Sequence, residues 1–186
     1  MRKDLKLFMV MLGCKPQGRF TEQHDIFFGI GSSLKELLPQ MIEFWPEAKG
    51  KIHVDAYREV THVDGYQIQV KKREQDTDPH QLFFLNLGGY KKNEFEEYHY
   101  KVLTITKSKS QAIKNAKEST FYKHCGFEGA PSHIDDKYGV DVDDIYTIEE
   151  ILSDSIKQKY QLSFTKSSEK LEDKLHIGYL KIDNLP

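Results

Sequence analysis

Two stretches of equal length decide the fold: LFMVMLGCKPQGRFTEQHDIFFGIGSS, residues 7–33, and LFFLNLGGYKKNEFEEYHYKVLTITKS, residues 82–108. At an offset of 75 and without a gap, Leu7-Phe8 lies over Leu82-Phe83, Leu12-Gly13 over Leu87-Gly88, Phe20 over Phe95, Glu22 over Glu97, His24 over His99, Ile30 over Ile105 and Ser33 over Ser108. Glycine, histidine and aromatic positions kept in one register point to an internal duplication. A second block continues it at an offset of 80, with His53-Val54-Asp55 over His133-Ile134-Asp135, and Val60, Asp64, Tyr66 and Ile68 over Val140, Asp144, Tyr146 and Ile148. Two copies of one unit bury against each other as a homodimer's subunits do. The expectation is a pseudo-two-fold chain, either a monomer that is its own internal pseudo-dimer or a homodimer.

Within a copy the periodicity changes twice. Leu7 to Leu12 is a continuous apolar run of strand length, as in a strand buried on both faces. Gly13 to Arg19 then carries two glycines and a proline and reads as a loop. From Phe20 to Ile30 alternation places Phe20, Glu22, His24, Ile26 and Phe28 on one strand face. Ser33 with Glu36, and Ser108 with Gln111, fit the S-x-x-E/Q capping box that starts a helix. Helical spacing follows in Leu34, Leu37, Leu38, Met41, Ile42 and Trp45, and in Ala112, Ile113, Ala116 and Thr120. Pro39 is incompatible with a regular helix interior, so the first helix kinks there or begins afresh with Pro39 in its first turn. KIHVDAYREV and YQIQVKK read as strands. The expected fold is α+β, built from two ββα-plus-strand units with mainly antiparallel sheet. Expected boundaries are residues 1–70 for copy one, 71–81 for a linker, 82–152 for copy two and 153–186 for a C-terminal extension. In that extension, Tyr160–Phe164 and His176–Ile182 are expected to form a β-hairpin that covers a sheet edge.

Composition narrows the class. The 186 residues carry 27 Lys+Arg against 29 Asp+Glu, a formal charge of −2, with a mean hydropathy of −0.63. This balance argues against a partner bound by broad phosphate neutralisation, so no nucleic acid is expected. The aromatic share of 12 % excludes a disordered chain. No window nears the ~18 apolar residues of a membrane span. The basic-then-apolar start, MRKDLKLFMVML, lacks a small-residue cleavage site and reads as a first strand rather than a leader. Cys14 and Cys125 form no CxxC and suit free thiols in a reducing, cytoplasmic setting.

The residues that could carry chemistry are those both copies keep on apolar faces: Glu22, His24, His53 and Asp55, with their mates Glu97, His99, His133 and Asp135. His53 and Asp55 are two apart on a strand, with side chains ~6.6 Å apart along one face. Imidazole with carboxylate suits Zn, Fe or Mn, and also acid–base chemistry of a hydrolase or isomerase kind near neutral pH. A small polar ligand or a divalent metal is therefore the expected occupant. The alternative is a non-catalytic interaction module in which a buried carboxylate fixes a His tautomer within a satisfied polar network. The run Gly13-Cys14-Lys15-Pro16-Gln17-Gly18-Arg19 resembles a phosphate loop but is followed by a strand where a helix is needed, so no nucleotide is expected. Asp135, Asp136, Asp141, Asp143 and Asp144 read as a solvated acidic turn rather than a cation loop. Adjacent His124 and Cys125 make a poor nucleophile pair, because neighbours on a strand point apart.

The strings GRFTEQHDIFFGI (18–30), KIHVDAYREV (51–60), LFFLNLGGYKKNEFEEYHY (82–100) and SHIDDKYGVDVDDIY (132–146) resemble a bacterial family known as a domain of unknown function, family 1543, whose domain occurs in one or two copies per chain. The resemblance spans about Leu7 to Leu152 and marks the chain as a tandem two-copy member. It implies a bacterial, cytoplasmic protein and carries with it no reaction, cofactor or catalytic residue.

Overall fold

A computed structural model describes residues 4–74, 78–90, 93–118, 140–169 and 171–186. The fold is α+β, and every strand pair among the described residues is antiparallel. The chain forms two compact units: unit 1 is Met1–Asp76 with Leu152–Pro186, and unit 2 is Thr77–Ile151. No helix among the described residues is long and apolar enough to cross a membrane.

Unit 1 is built on β1 (Lys6–Cys14), the apolar run foreseen from sequence. It pairs with β2 (Gln23–Gly31) on one side and β3 (His53–Glu59) on the other. Phe8, Val10, Leu12 and Cys14 alternate toward a core completed by Phe27, Leu34, Leu37, Met41, Ile52 and Val54. The helix over that face starts as a 3-10 turn (Lys35–Leu37) and begins again as α1 (Leu38–Phe44), with Pro39 in its first turn. Proline costs little there because that N–H has no intrahelical partner in any case. Ser33 Oγ accepts from the Glu36 N–H, and the Glu36 carboxylate returns to the N–H and hydroxyl of Ser32 rather than Ser33.

A second sheet of unit 1 has the order β4 (His62–Val63), β5 (Tyr66–Lys72), β9 (Tyr160–Lys166). Asp64 and Gly65, both at positive φ, join β4 to β5 in the primed turn that suits a two-residue hairpin. Lys71 and Lys72, assigned from sequence to a linker, belong to β5 and pair with Gln161 and Tyr160.

Two expectations about the C-terminal segment need correcting. It is not a separate extension, and its strands do not pair with each other. β9 extends β5, whereas β10 (His176–Lys181) lies along β3 in the other sheet. Each closes an edge whose N–H and C=O groups would otherwise stand unpaired. Tyr57 and His176, directly opposite across β3 and β10, stack with ring centroids 4.4 Å apart.

Unit 2 contains β6 (Gln81–Tyr90) between β7 (Glu97–Thr106) and β8 (Val140–Thr147). Phe83, Leu85 and Leu87 of β6 pack on Ala112 and Ala116 of α2 (Lys109–Lys117). Those alanines sit four apart on one helix face and let the helix lie close to the sheet. Ser108 caps α2 by accepting from the Gln111 N–H at 3.3 Å, as the capping box requires. The acidic run is not a turn, because Asp141 to Asp144 lie within β8. Thr120, His124, Cys125, His133, Asp135 and Asp136 fall outside the described residues.

Asp173 fastens the segment between β9 and β10. Its side chain is only 1 % exposed, and it accepts from the Thr61 N–H (3.0 Å), the Thr61 hydroxyl (2.6 Å) and the His62 N–H (3.0 Å). Its charge also opposes the lowering of the Arg58 guanidinium, which burial pulls below its usual range. Asp173→Ala leaves two backbone donors unpaired and should destabilise the protein by about 2–3 kcal/mol. Urea unfolding followed by circular dichroism measures this, and an unchanged midpoint would show that the contacts carry no net stability.

Candidate functional site

The site of unit 1 lies on the face of β1 turned away from α1. Gly13 stands opposite His24 of β2 and His53 of β3. A Cβ at Gly13 would overlap His53 Nε2 and come within 2.5 Å of Asp55 Oδ2. The absence of a side chain there is what opens the recess into which both groups turn.

A β-bulge completes the arrangement. In the β1–β3 ladder Leu12 pairs with Val54 and Met11 with Ala56, so Asp55 is the extra residue. Bulges re-aim side chains, and this one brings the Asp55 carboxylate onto its neighbour's imidazole. His53 Nε2 lies 3.2 Å from Asp55 Oδ2, far closer than a regular strand allows. His24 Nε2 approaches the same oxygen at 3.3 Å. Glu22 reaches His53 Nε2 at 3.1 Å and His24 Nε2 at 3.9 Å. All four residues selected in copy one therefore meet. The face assignment of His24 agrees with the register, Glu22 precedes the strand and reaches the same cluster, and Phe20 does not share that face. β2 starts at Gln23, the alternation does not extend back into the preceding turn, and Phe20 and Phe95 are both fully exposed.

Asp55 Oδ2 is buried and makes no hydrogen bond among the described residues. A buried acceptor left so costs ~1–3 kcal/mol unless a cation or proton satisfies it. Two imidazole nitrogens, His53 Nε2 and His24 Nε2, lie 3.2 and 3.3 Å from it. Beside the site, the buried Cys14 thiol is held above its ordinary pKa, first by burial and then by the charge of Glu22, and is kept protonated and inert. The ring of Tyr179, from β10, lies against that of His53 with centroids 4.6 Å apart.

Unit 2 has Gly88 opposite His99, and a Cβ there would overlap Asp143 Oδ2. Asp143 is again the bulged residue, since Leu87 pairs with Val142 and Asn86 with Asp144. His99 Nε2 lies 3.5 Å from Asp143 Oδ2 and 3.9 Å from Glu97 Oε2. One donor atom from each of the three lies within 4.8 Å of the others. Tyr90 hydrogen-bonds the Glu97 carboxylate. Its phenol is raised above the usual range by that bond first, then by burial and the charges of Glu97 and Asp143.

This register corrects the second block of the sequence comparison. The residues opposite Gly88 and Leu87 are Asp141 and Val142, where His53 and Val54 stand opposite Gly13 and Leu12, an offset of 88 rather than 80. The place of Asp55 in unit 2 is therefore taken by Asp143. His133 and Asp135, chosen at the shorter offset, lie outside the described residues. Sequence reasoning missed Asp143 by reading it as part of a solvated run. The signal that finds it is Asp141-Val142-Asp143 laid over His53-Val54-Asp55, followed by an aromatic or aliphatic residue in strand register.

Among solved structures, the chain is similar to the crystal structure of a protein Il1583 from Idiomarina loihiensis, at 25 % identity and a TM-score of 0.64, covering 95 % of this chain and 96 % of that one. No curated protein matches it. Residues 19–70, which hold Glu22, His24, His53 and Asp55, match the model of the family described as Domain of Unknown Function (DUF1543).

Proposed function

We propose that this is a metal-binding protein whose two units are copies of one ancestral domain, each holding a divalent ion on its glycine-floored face. In unit 1 the ligands are Glu22, His24, His53 and Asp55; in unit 2 they are Glu97, His99 and Asp143. The observation that carries the reading is Asp55 Oδ2, buried without a hydrogen bond and faced by two imidazole nitrogens. A bound ion would satisfy that oxygen, which neither ring does. The repetition of glycine, bulged aspartate and histidine in unit 2 supports both the duplication and the site.

A divalent ion in such a site lowers the pKa of a bound water and polarises an oxygen of a small polar ligand, the chemistry of a hydrolase or isomerase. Glu22 and Glu97, with side chains 47 % and 42 % exposed, are the most exposed of these ligands. The buried free thiol of Cys14 accords with a reducing, cytoplasmic setting in a bacterium. With both halves in one chain, a monomer is the simplest assembly.

Calorimetric titration of metal-stripped protein with Zn2+ tests the reading. Two equivalents are expected, and His24→Ala should weaken one of them roughly 100-fold or more. Gly13→Ala should abolish the same equivalent by filling the recess while leaving all four ligands in place. Failure of the wild type to take up Zn2+, Mn2+, Fe2+ or Co2+ would reject the proposal. In that case a loss of melting temperature in His24→Ala would identify the cluster as a structural polar network. Because imidazole binds metal only when unprotonated, uptake should release protons and weaken on acidification. Titrations in buffers of different ionisation enthalpy measure the protons released.

A further inference from the structure

On the face of the unit 1 sheet turned away from α1, side chains stand in rows two residues apart. The first row is His24, Gly13 and His53. The second is Ile26, Met11 and Ala56, continued onto β10 by Ile177. The third carries Met9 and Arg58. The fourth is Ile30, Leu7 and Val60, all buried. We propose that unit 1 binds a small molecule with three parts: a polar group at the metal row, an apolar middle over the second row, and a terminal carboxylate on Arg58. This rests on the metal reading above and adds the class of ligand that the site takes.

Arg58 is the first ground. Its side chain is half-buried, yet among the described residues its guanidinium makes no hydrogen bond and no ion pair. Burial pulls it below its usual range, and the charge of Asp173 opposes that without a direct contact. The Asp173 carboxylate is already engaged by the Thr61 N–H and hydroxyl and by the His62 N–H. Arg58 therefore holds a fixed positive charge and a planar fork of unused donors, on the same strand and the same face as His53. That fork matches a carboxylate in two parallel hydrogen bonds.

The stretch between Arg58 and the histidines is the second ground. Met11, Ile26 and Ala56 give it a half-buried floor with no polar side chain. On β10, Ile177 is 81 % exposed and Tyr179 is 61 % exposed, and Tyr179 already lies on the His53 ring. Large apolar side chains left in water beside a polar cluster are covered by the apolar body of a ligand, whose polar ends fix its orientation. The length is bounded as well. Four residues of β1 separate Gly13 from Met9, about 13 Å, and the arginine side chain spans part of that distance. Past Arg58 the face is closed, since Leu7, Ile30 and Val60 are at most 3 % exposed.

The test uses aliphatic monohydroxamates, whose hydroxamate chelates zinc. Adipic, suberic and sebacic acid monohydroxamates end in a carboxylate, and each is paired with a hydroxamate of equal length that ends in an uncharged methyl group. Full-length His99→Ala loaded with Zn2+ keeps unit 1 as the metal site, and calorimetry gives the dissociation constants. The informative quantity is the affinity of the carboxylate probe relative to its methyl mate. At the length that binds tightest, adding Arg58→Gln should lower this ratio roughly 10-fold or more, as loss of a charge-assisted hydrogen bond does, and leave Zn2+ affinity unchanged. Arg58→Lys should retain only part of the ratio, because an ammonium lacks the planar fork. Ile177→Ser, at an exposed position, should weaken both probes and leave the ratio alone. A ratio that Arg58→Gln does not move at any length would overturn the inference, as would failure of the zinc-loaded protein to bind either kind of probe; the metal reading survives both results. Unchanged binding in Ile177→Ser would overturn the apolar middle, and failure to take up zinc would overturn the inference together with the metal reading. Melting curves establish that the variants are folded, and if Arg58→Gln is not, the ratio in Arg58→Lys decides.

Discussion

No side chain can stand on β1 at Gly13 without striking His53 and Asp55, and the rest of the candidate site is arranged over that gap. A strand normally fills both faces of a sheet. Leaving one position bare at the end of a central strand lets the flanking strands turn polar groups inward from either side. The bulge at Asp55 is the second half of the device, because it brings His53 and Asp55, two residues apart on β3, onto one small volume. Gly88 and the bulge at Asp143 make the same pair in unit 2. A glycine under a bulge is thus the minimum that converts a two-sided sheet into a cradle.

The opposite face of each sheet supplies rigidity. In unit 1 the alternating residues Phe8, Val10, Leu12 and Cys14 are nearly all inaccessible and are gripped by Leu37 and Met41. Large-to-small changes in such a core cost ~2–5 kcal/mol, so β1 is held where the recess needs it. In unit 2 the grip is made by alanines, Ala112 and Ala116, and the helix comes close rather than interdigitating deeply. The C-terminal segment gives unit 1 what unit 2 does not show. β10 lies on β3, Asp173 binds the start of β4, and Tyr179 reaches the site. This support reaches the site of unit 1 from a segment far along the chain.

Much of this was legible in the residues. The strand Leu7–Leu12, the restart of the helix at Pro39, the capping serines Ser33 and Ser108, and the choice of Glu22, His24, His53 and Asp55 as candidate residues all follow from local pattern, because each depends on neighbours within a few residues or on alternation along one strand. The α+β class and antiparallel pairing follow from those elements in order. What local pattern misplaced was long-range. Alternation carried Phe20 onto the apolar face, although the chain is still in a turn there. An offset of 80 paired His53 with His133, because a string match does not register which residues stand opposite each other across a sheet. Two consecutive strand-like segments read as a hairpin, yet β9 and β10 went to different sheets. By itself the sequence determined which faces are apolar and which polar residues stand on them, since side-chain direction has a fixed period in a strand. Only the tertiary structure decided which strands lie side by side, and therefore that a glycine, a bulge and a distant tyrosine surround the same imidazole. Cross-strand register is set by contacts between residues far apart in the chain, and no local periodicity encodes it.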